Sequence, residues 1–133
     1  MDTIKQEHRE LVEQLRPSRR VLIVDDHPGF RKCAGALLAA EGFEVVGAAE
    51  NGEAAIALVA ELAPELVLLD IQLPDLDGFE VAERLLARDS ELKIVLVSSR
   101  DRSAYGSAIE TSGAVGFIWK AELSGGAIEE ALA

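Results

Sequence analysis

Asp25 and Asp26 stand side by side at the end of a short apolar run, Val21-Leu22-Ile23-Val24, and Asp70 closes another, Leu66-Val67-Leu68-Leu69. Ile94-Val95-Leu96-Val97 leads into Ser98 and Ser99, and Phe117-Ile118-Trp119 leads into Lys120. If these runs lie side by side, three carboxylates, a hydroxyl and an ammonium meet in one crevice. Close carboxylates raise one another's pKa unless a cation is present. A hard divalent ion, Mg2+ or its near substitute Mn2+, suits one or two carboxylates with several retained waters. A carboxylate such as Asp70 can also act as a nucleophile and form an acyl phosphate. Phosphoryl transfer spreads charge over three oxygens: the metal can meet one, Lys120 a second and the Ser98 hydroxyl a third. Taken singly, each residue has a plainer account. An acidic pair can cap a helix, a lone Asp can turn the chain, Lys120 can be solvated and Ser98 can bond locally. What favours a shared site is that four separate strand ends each carry a fitting type.

The elements that would position them alternate along the chain. The apolar runs Val21–Val24 and Leu66–Leu69 read as strands buried on both faces, and Phe43–Val46, Ile94–Val97 and Val115–Trp119 read as three further strands. Between them, helical spacing predicts helices over Pro28–Ala40 ended by Gly42, Glu53–Leu62 stopped before Pro64, and Phe79–Ala87. A weaker helix is expected over Ser103–Thr111, and a last one over Ser124–Leu132 with Ala127, Ile128, Ala131 and Leu132 inward. Strands alternating with helices imply an α/β fold, a parallel sheet covered on both sides as a three-layer sandwich. Right-handed crossovers leave few topologies, of which the flavodoxin-like order 2-1-3-4-5 is the usual one at this size and the one expected, with ligands beyond the carboxyl ends of the strands.

Residues 1–19 read differently from residues 20–133, so the expected organisation is an N-terminal extension followed by one domain. Thr3 with Gln6 forms a capping box, Ile4, Leu11, Val12 and Leu15 share a helical face, and Pro17 stops the helix. A lone helix of about 13 residues is marginal in water, so it frays, docks or pairs with a copy of itself. His8 stands in that stretch, but one short helix cannot supply the helical bundle of a phosphohistidine site.

The chain has 133 residues, enough for one ordinary domain and too few for two. Its net charge of −11 argues against direct nucleic-acid binding, which needs a basic face. A single cysteine, Cys33, cannot form an internal disulfide. No apolar run approaches the roughly 20 residues needed to cross a bilayer, and no signal-peptide core precedes the domain. A cytoplasmic protein is the expectation.

From about Arg20 to Leu132 the sequence resembles the receiver domains of two-component response regulators. Val21-Leu22-Ile23-Val24-Asp25-Asp26-His27-Pro28 is similar to the family's first strand and acidic pair. The run from Leu66 through Asp70-Ile71-Gln72-Leu73-Pro74-Asp75-Leu76-Asp77-Gly78 is similar to its phospho-acceptor strand and loop. Ile94–Ser99 resembles the strand carrying a switch hydroxyl, and Gly113–Lys120 the strand ending in a phosphate-binding lysine. The resemblance implies that Asp70 accepts a phosphoryl group from a sensor histidine kinase or phosphotransfer protein. It also implies metal binding by Asp26, Asp70 and the Gln72 backbone carbonyl, with Asp25 acting through water. Lys120 would pair with the phosphoryl group, Ser98 would swing toward it, and Phe117 would turn inward behind Ser98. Gln72 and Arg100 would tune how fast water removes the phosphate. Phe117 and Trp119 mark the face of the fourth helix, fifth strand and fifth helix as a surface for a downstream protein, an output domain or a second copy.

Two departures stand out. The family lysine is often followed by a cis proline, whereas Ala121 follows Lys120; a non-proline cis bond costs about 2.5–4 kcal/mol, so a trans bond is expected. The Asp-Asp-His-Pro start is similar to receivers of LuxR-type regulators, yet no helix-turn-helix follows. A stand-alone receiver and a piece of a longer regulator are both compatible. The protein is expected to be a switch rather than a turnover enzyme. Aspartate-nucleophile phosphatases place a second acid where Gln72 stands, and a nucleotide-binding fold would need a glycine-rich loop after the first strand. The remaining alternative is a pseudo-receiver that binds protein without being phosphorylated.

Overall fold

The computed structural model describes residues 19–133, so the capping box, helical face, Pro17 and His8 lie outside the described residues. Strands β1 (Arg20–Val24), β2 (Glu44–Ala49), β3 (Leu66–Asp70), β4 (Lys93–Ser98) and β5 (Gly116–Trp119) form one sheet. All four neighbouring pairs are parallel, in the order β2-β1-β3-β4-β5. All of β3 is buried, as are β1 beyond Arg20 and β4 beyond Lys93, which is why these strands read as unbroken apolar runs.

Helices α1 (Pro28–Ala40), α2 (Gly52–Leu62), α3 (Gly78–Arg88) and the single turn α4 (Ala108–Thr111) connect the strands, and α5 (Gly125–Leu132) follows the last of them. Successive strand residues feed opposite cores. Leu22, Val24, Val67, Leu69 and Leu96 pack with Ala55 of α2 and Val81 and Leu85 of α3. Val21, Ile23, Leu68, Val95 and Val97 pack with Leu38 of α1 and Ile128 of α5. β1 and β3 are neighbours, and β2 lies on the far side of β1, so the strand order reverses between β1 and β3 and leaves a crevice at their carboxyl ends.

Three expectations need correction. The helix expected over Ser103–Thr111 is a 3-10 turn at Arg102–Tyr105 followed by α4, interrupted by Gly106 at φ +58°. Thr111 and Ser112 donate side-chain hydrogen bonds to nearby carbonyls, which competes with regular helix. β2 begins after Phe43 and runs on to Ala49, because the β1–β2 register shifts between Val21 and Leu22 and the strand continues past the irregularity. Phe43 instead joins the core beneath α1 and α5. β5 starts at Gly116, one residue late. The peptide bonds of the described residues are all trans, that of Lys120–Ala121 included, and a 3-10 turn at Lys120–Glu122 follows β5.

The α2 terminus is held from a distance. Asn51 caps Ala54 N at 2.8 Å, while Asp75, in the loop after β3, accepts the backbone N–H groups of Gly52 and Glu53 at 2.8 and 2.9 Å. These bonds hold the Asp75 carboxyl below its ordinary pKa, the Gly52 bond contributing most. A depressed carboxyl stabilises the fold above its unfolded pKa and loses that contribution as pH falls through its folded pKa. Asp75→Asn is therefore expected to lower the urea midpoint at pH 7, with the gap from wild type closing as pH falls below about 4. An equal gap at pH 7 and pH 3 would show that charge has no part in it.

Candidate functional site

The crevice is built from strand ends. Asp25, directly after β1, has no solvent exposure, and Asp70, the last residue of β3, is 2% exposed. Asp25 is fixed by its own N–H to Ala49 O at 3.0 Å and by Arg31 donating to its carbonyl at 2.7 Å. Its Oδ1 accepts the His27 backbone N–H at 2.8 Å. Asp70 Oδ1 accepts the Gln72 N–H at 3.1 Å, a turn that starts the loop toward α3. From the end of β5, Lys120 Nζ reaches Asp25 Oδ2 at 2.6 Å and Asp70 Oδ2 at 3.3 Å. The same ammonium lies 4.6 Å from the centroid of the Phe30 ring on α1.

Charge is unevenly matched here. Burial, and then the charge of Asp25, push the Asp70 carboxyl up to about 6, against the opposing pull of Lys120. Burial would lower the Lys120 ammonium, but its close contact with Asp25, the charges of Asp70 and Asp25 and its hydrogen bond to Asp70 outweigh it, and the pKa is raised. Asp25 Oδ2 is buried and ion-paired to Lys120, yet no hydrogen bond is properly directed at it. Asp25, Asp26, His27 and Asp70 each offer a ligand atom, all within 4.8 Å of one another. A buried carboxylate oxygen without a directed donor, in a cluster of oxygen donors, fits a hard divalent cation.

Of the residues singled out in the sequence, Asp25, Asp70 and Lys120 are in direct contact, and Asp26 joins the acidic cluster at its half-exposed rim. Ser98 is buried at the end of β4, but its hydroxyl bonds to the Arg100 N–H and the Tyr105 hydroxyl, with none to Asp70 or Lys120. Arg100 contributes that backbone contact and is otherwise exposed. Phe117 is half-buried against the Tyr105 ring, while Trp119 is 42% exposed with its indole N–H on the Ser99 carbonyl at 3.1 Å. Sequence reasoning missed two participants. His27 Nδ1 lies 3.1 Å from both Asp25 Oδ1 and Asp26 Oδ1, and its place directly after the acidic pair was the available signal. Tyr105 falls in a stretch of weak helical periodicity, and nothing local marks it as a partner of Ser98.

A doubly wound parallel sheet with buried carboxylates and a lysine at its switch point is the arrangement of flavodoxin-like receiver folds. The chain belongs to the response regulator receiver domain family of two-component systems, whose model matches residues 21–132. It is 40% identical over 103 residues to BvgA of Bordetella pertussis, covering 77% of this chain and 49% of that protein. The chain thus spans about half the length of the curated relatives it matches. Its fold is similar to a LuxR-family two-component response regulator from Aurantimonas, with a TM-score of 0.75 at 30% identity over 87% of this chain and 86% of that one. It is also similar to TrrA of Thermotoga maritima, solved with Mg2+ and beryllofluoride, with a TM-score of 0.75 at 32% identity over 84% and 95% of the two chains. Among the described residues, no helix is long and apolar enough to cross a membrane.

Proposed function

We propose that residues 20–133 form a phosphorylation switch in which Asp70 accepts a phosphoryl group from the phosphohistidine of a sensor kinase or phosphotransfer protein, with residues 1–19 as an extension. The Asp25–Lys120–Asp70 contact carries this reading: a buried nucleophilic carboxylate, a cation beside it and a second carboxylate with a free lone pair. An Asp70 carboxylate oxygen attacks phosphorus, the phosphorus–nitrogen bond of the donor breaks, and its electron pair stays on the imidazole. Lys120 neutralises one phosphoryl oxygen and the Ser98 hydroxyl receives another. Asp25, Asp26, Asp70 and the Gln72 carbonyl would hold Mg2+ or Mn2+, with His27 at the rim. When bound, that ion supplies charge neutralisation for the phosphoryl group. Phe117 follows Ser98 inward, and Gln72 and Arg100 set the rate at which water removes the phosphate.

The readout surface is the side of β5 toward the 3-10 turn and α5. A groove of about 480 Å³ there is lined by Asp101, Arg102, Phe117, Trp119, Glu122 and Glu130. A downstream protein, an output domain or a second copy would meet it, with Trp119 as an anchor.

Incubation with Mg2+ and acetyl phosphate, read by intact mass, tests the reading. One acid-stable, base-labile phosphoryl group is expected on the wild type and none on Asp70→Asn. Failure of the wild type to take phosphate from any small donor or kinase would leave a protein-binding pseudo-receiver. Continuous turnover of phosphoesters would instead indicate a phosphatase.

A further inference from the structure

Ser98 has no solvent exposure, and its hydroxyl is already engaged. The Oγ accepts the Arg100 backbone N–H at 3.0 Å and shares a hydrogen bond with the Tyr105 hydroxyl at 2.5 Å. Strand alternation explains the direction. Leu96 belongs to the core beneath α2 and α3 and Val97 to the opposite core, so Ser98 leaves β4 on the Leu96 side. Tyr105 packs on that same side from the 3-10 turn. Its ring meets Phe79 of α3 edge-on at 5.8 Å and Phe117 of β5 at 6.2 Å. Three elements therefore fix a phenol whose one polar atom lands on the buried serine.

We infer that Tyr105 is a positioning residue that holds Ser98 in a resting state and competes with a phosphoryl group on Asp70 for the Ser98 hydroxyl. This deepens the phospho-acceptor reading and rests on it. A serine hydroxyl has one hydrogen and two lone pairs, and the Arg100 N–H occupies one lone pair. If Tyr105 donates, the second lone pair is used; if Ser98 donates, its only hydrogen is. In the second case a phosphoryl oxygen on Asp70 must displace Tyr105 to receive that hydrogen; in the first the hydrogen is free, and Tyr105 is given up because the Oγ has to turn away from it to reach a partner on Asp70. The ring contact with Phe117 extends the effect, because inward movement of Phe117 has to pass a tyrosine anchored on Ser98. In this arrangement the resting state is held by a hydrogen bond that phosphoryl binding must break.

Phenylalanine at 105 keeps the ring packing and removes the bond. With Mg2+ and beryllofluoride as the phosphoryl mimic, titration calorimetry is expected to show about threefold to tenfold tighter binding by Tyr105→Phe than by wild type, the range a single net hydrogen bond supports. In a Ser98→Ala background the same substitution is expected to change nothing, since the bond is already gone. Equal or weaker binding by Tyr105→Phe overturns the proposal, and so does the same gain in the Ser98→Ala background. A wild type that binds no beryllofluoride overturns the phospho-acceptor reading itself, and Tyr105's role with it. Wild-type binding with an unimproved variant removes only Tyr105's role.

Discussion

Lys120→Met is expected to destabilise the metal-free protein by about 3 kcal/mol at pH 7 to 8, read from urea unfolding, and Mg2+ is expected to restore more stability to the variant than to wild type. Methionine keeps an apolar stem against Phe30, so the change isolates the ammonium. What it removes is the cation lying 2.6 Å from Asp25 and 3.3 Å from Asp70. Asp25 is fully buried, and truncating one partner of a buried pair leaves the other charge uncompensated. The pH dependence fixes the sign. Asp70 already sits at about 6 in the presence of Lys120, above its ordinary 3.8. A carboxyl with a raised folded pKa favours the fold at low pH and loses that contribution as pH rises through the folded value. Without Lys120 the like charge of Asp25 acts unopposed, so the Asp70 carboxyl rises further and the penalty grows on the alkaline side. The two stability curves should converge as pH falls below about 4, where the Asp70 carboxyl is protonated in the folded and unfolded states alike. A variant as stable as wild type at pH 8 without metal would mean that Lys120 does not balance these charges.

The part of this site legible in the sequence is the part that depends on strand ends. A strand buried on both faces must be an apolar run, and it stops being apolar where the sheet ends, so Asp25, Asp70, Ser98 and Lys120 announced themselves by breaking such runs. Crossover handedness narrowed the sheet to a few orders, and the usual one at this size, which is the order observed, places those breaks on one edge. What did not follow are contacts made across sequence. Asp75 binds the start of a helix more than twenty positions earlier, and no local pattern marks it as that helix's cap. Tyr105 acquires its role from Phe79 and Phe117, on two other elements. The segment around it was misread because Gly106 takes positive φ and the nearby hydroxyls bond to the backbone, which weak helical periodicity cannot overrule. Ser98 is buried at the end of β4, where the apolar run breaks, yet the direction of its hydroxyl depends on Tyr105 and so lay beyond reach.

Gly78→Ala is expected to cost about 1–3 kcal/mol of stability and to impair phosphate uptake more severely than the stability loss alone accounts for. Helix propensity argues the other way, since alanine is favoured over glycine in a helix by about 1 kcal/mol. Sterics decide. A Cβ at Gly78, the first residue of α3, would lie 2.5 Å from the Asp70 carbonyl oxygen and 2.7 Å from the Ile71 Cα. Both are backbone atoms of the acceptor strand and its exit, so no flexible side chain can move aside. The close approach is also bonded, with the Gly78 N–H on the Ile71 carbonyl at 2.7 Å. Relief therefore requires shifting either α3, anchored by the Asp77 cap on Glu80 N, or the backbone that carries the Asp70 carboxylate. The second shift moves the nucleophile relative to Lys120, and misplacement of a reacting group by about 1 Å can cost on the order of a hundredfold in rate. Gly29→Ala supplies the matched comparison. Gly29 lies in the first turn of α1 with nothing within 4 Å of the added Cβ, so the same substitution there should be neutral or stabilising by up to about 1 kcal/mol. Urea midpoints and initial rates of acetyl phosphate labelling on the two variants separate the effects. If Gly78→Ala matches Gly29→Ala in both, the contact between α3 and the end of β3 does not govern the acceptor's position.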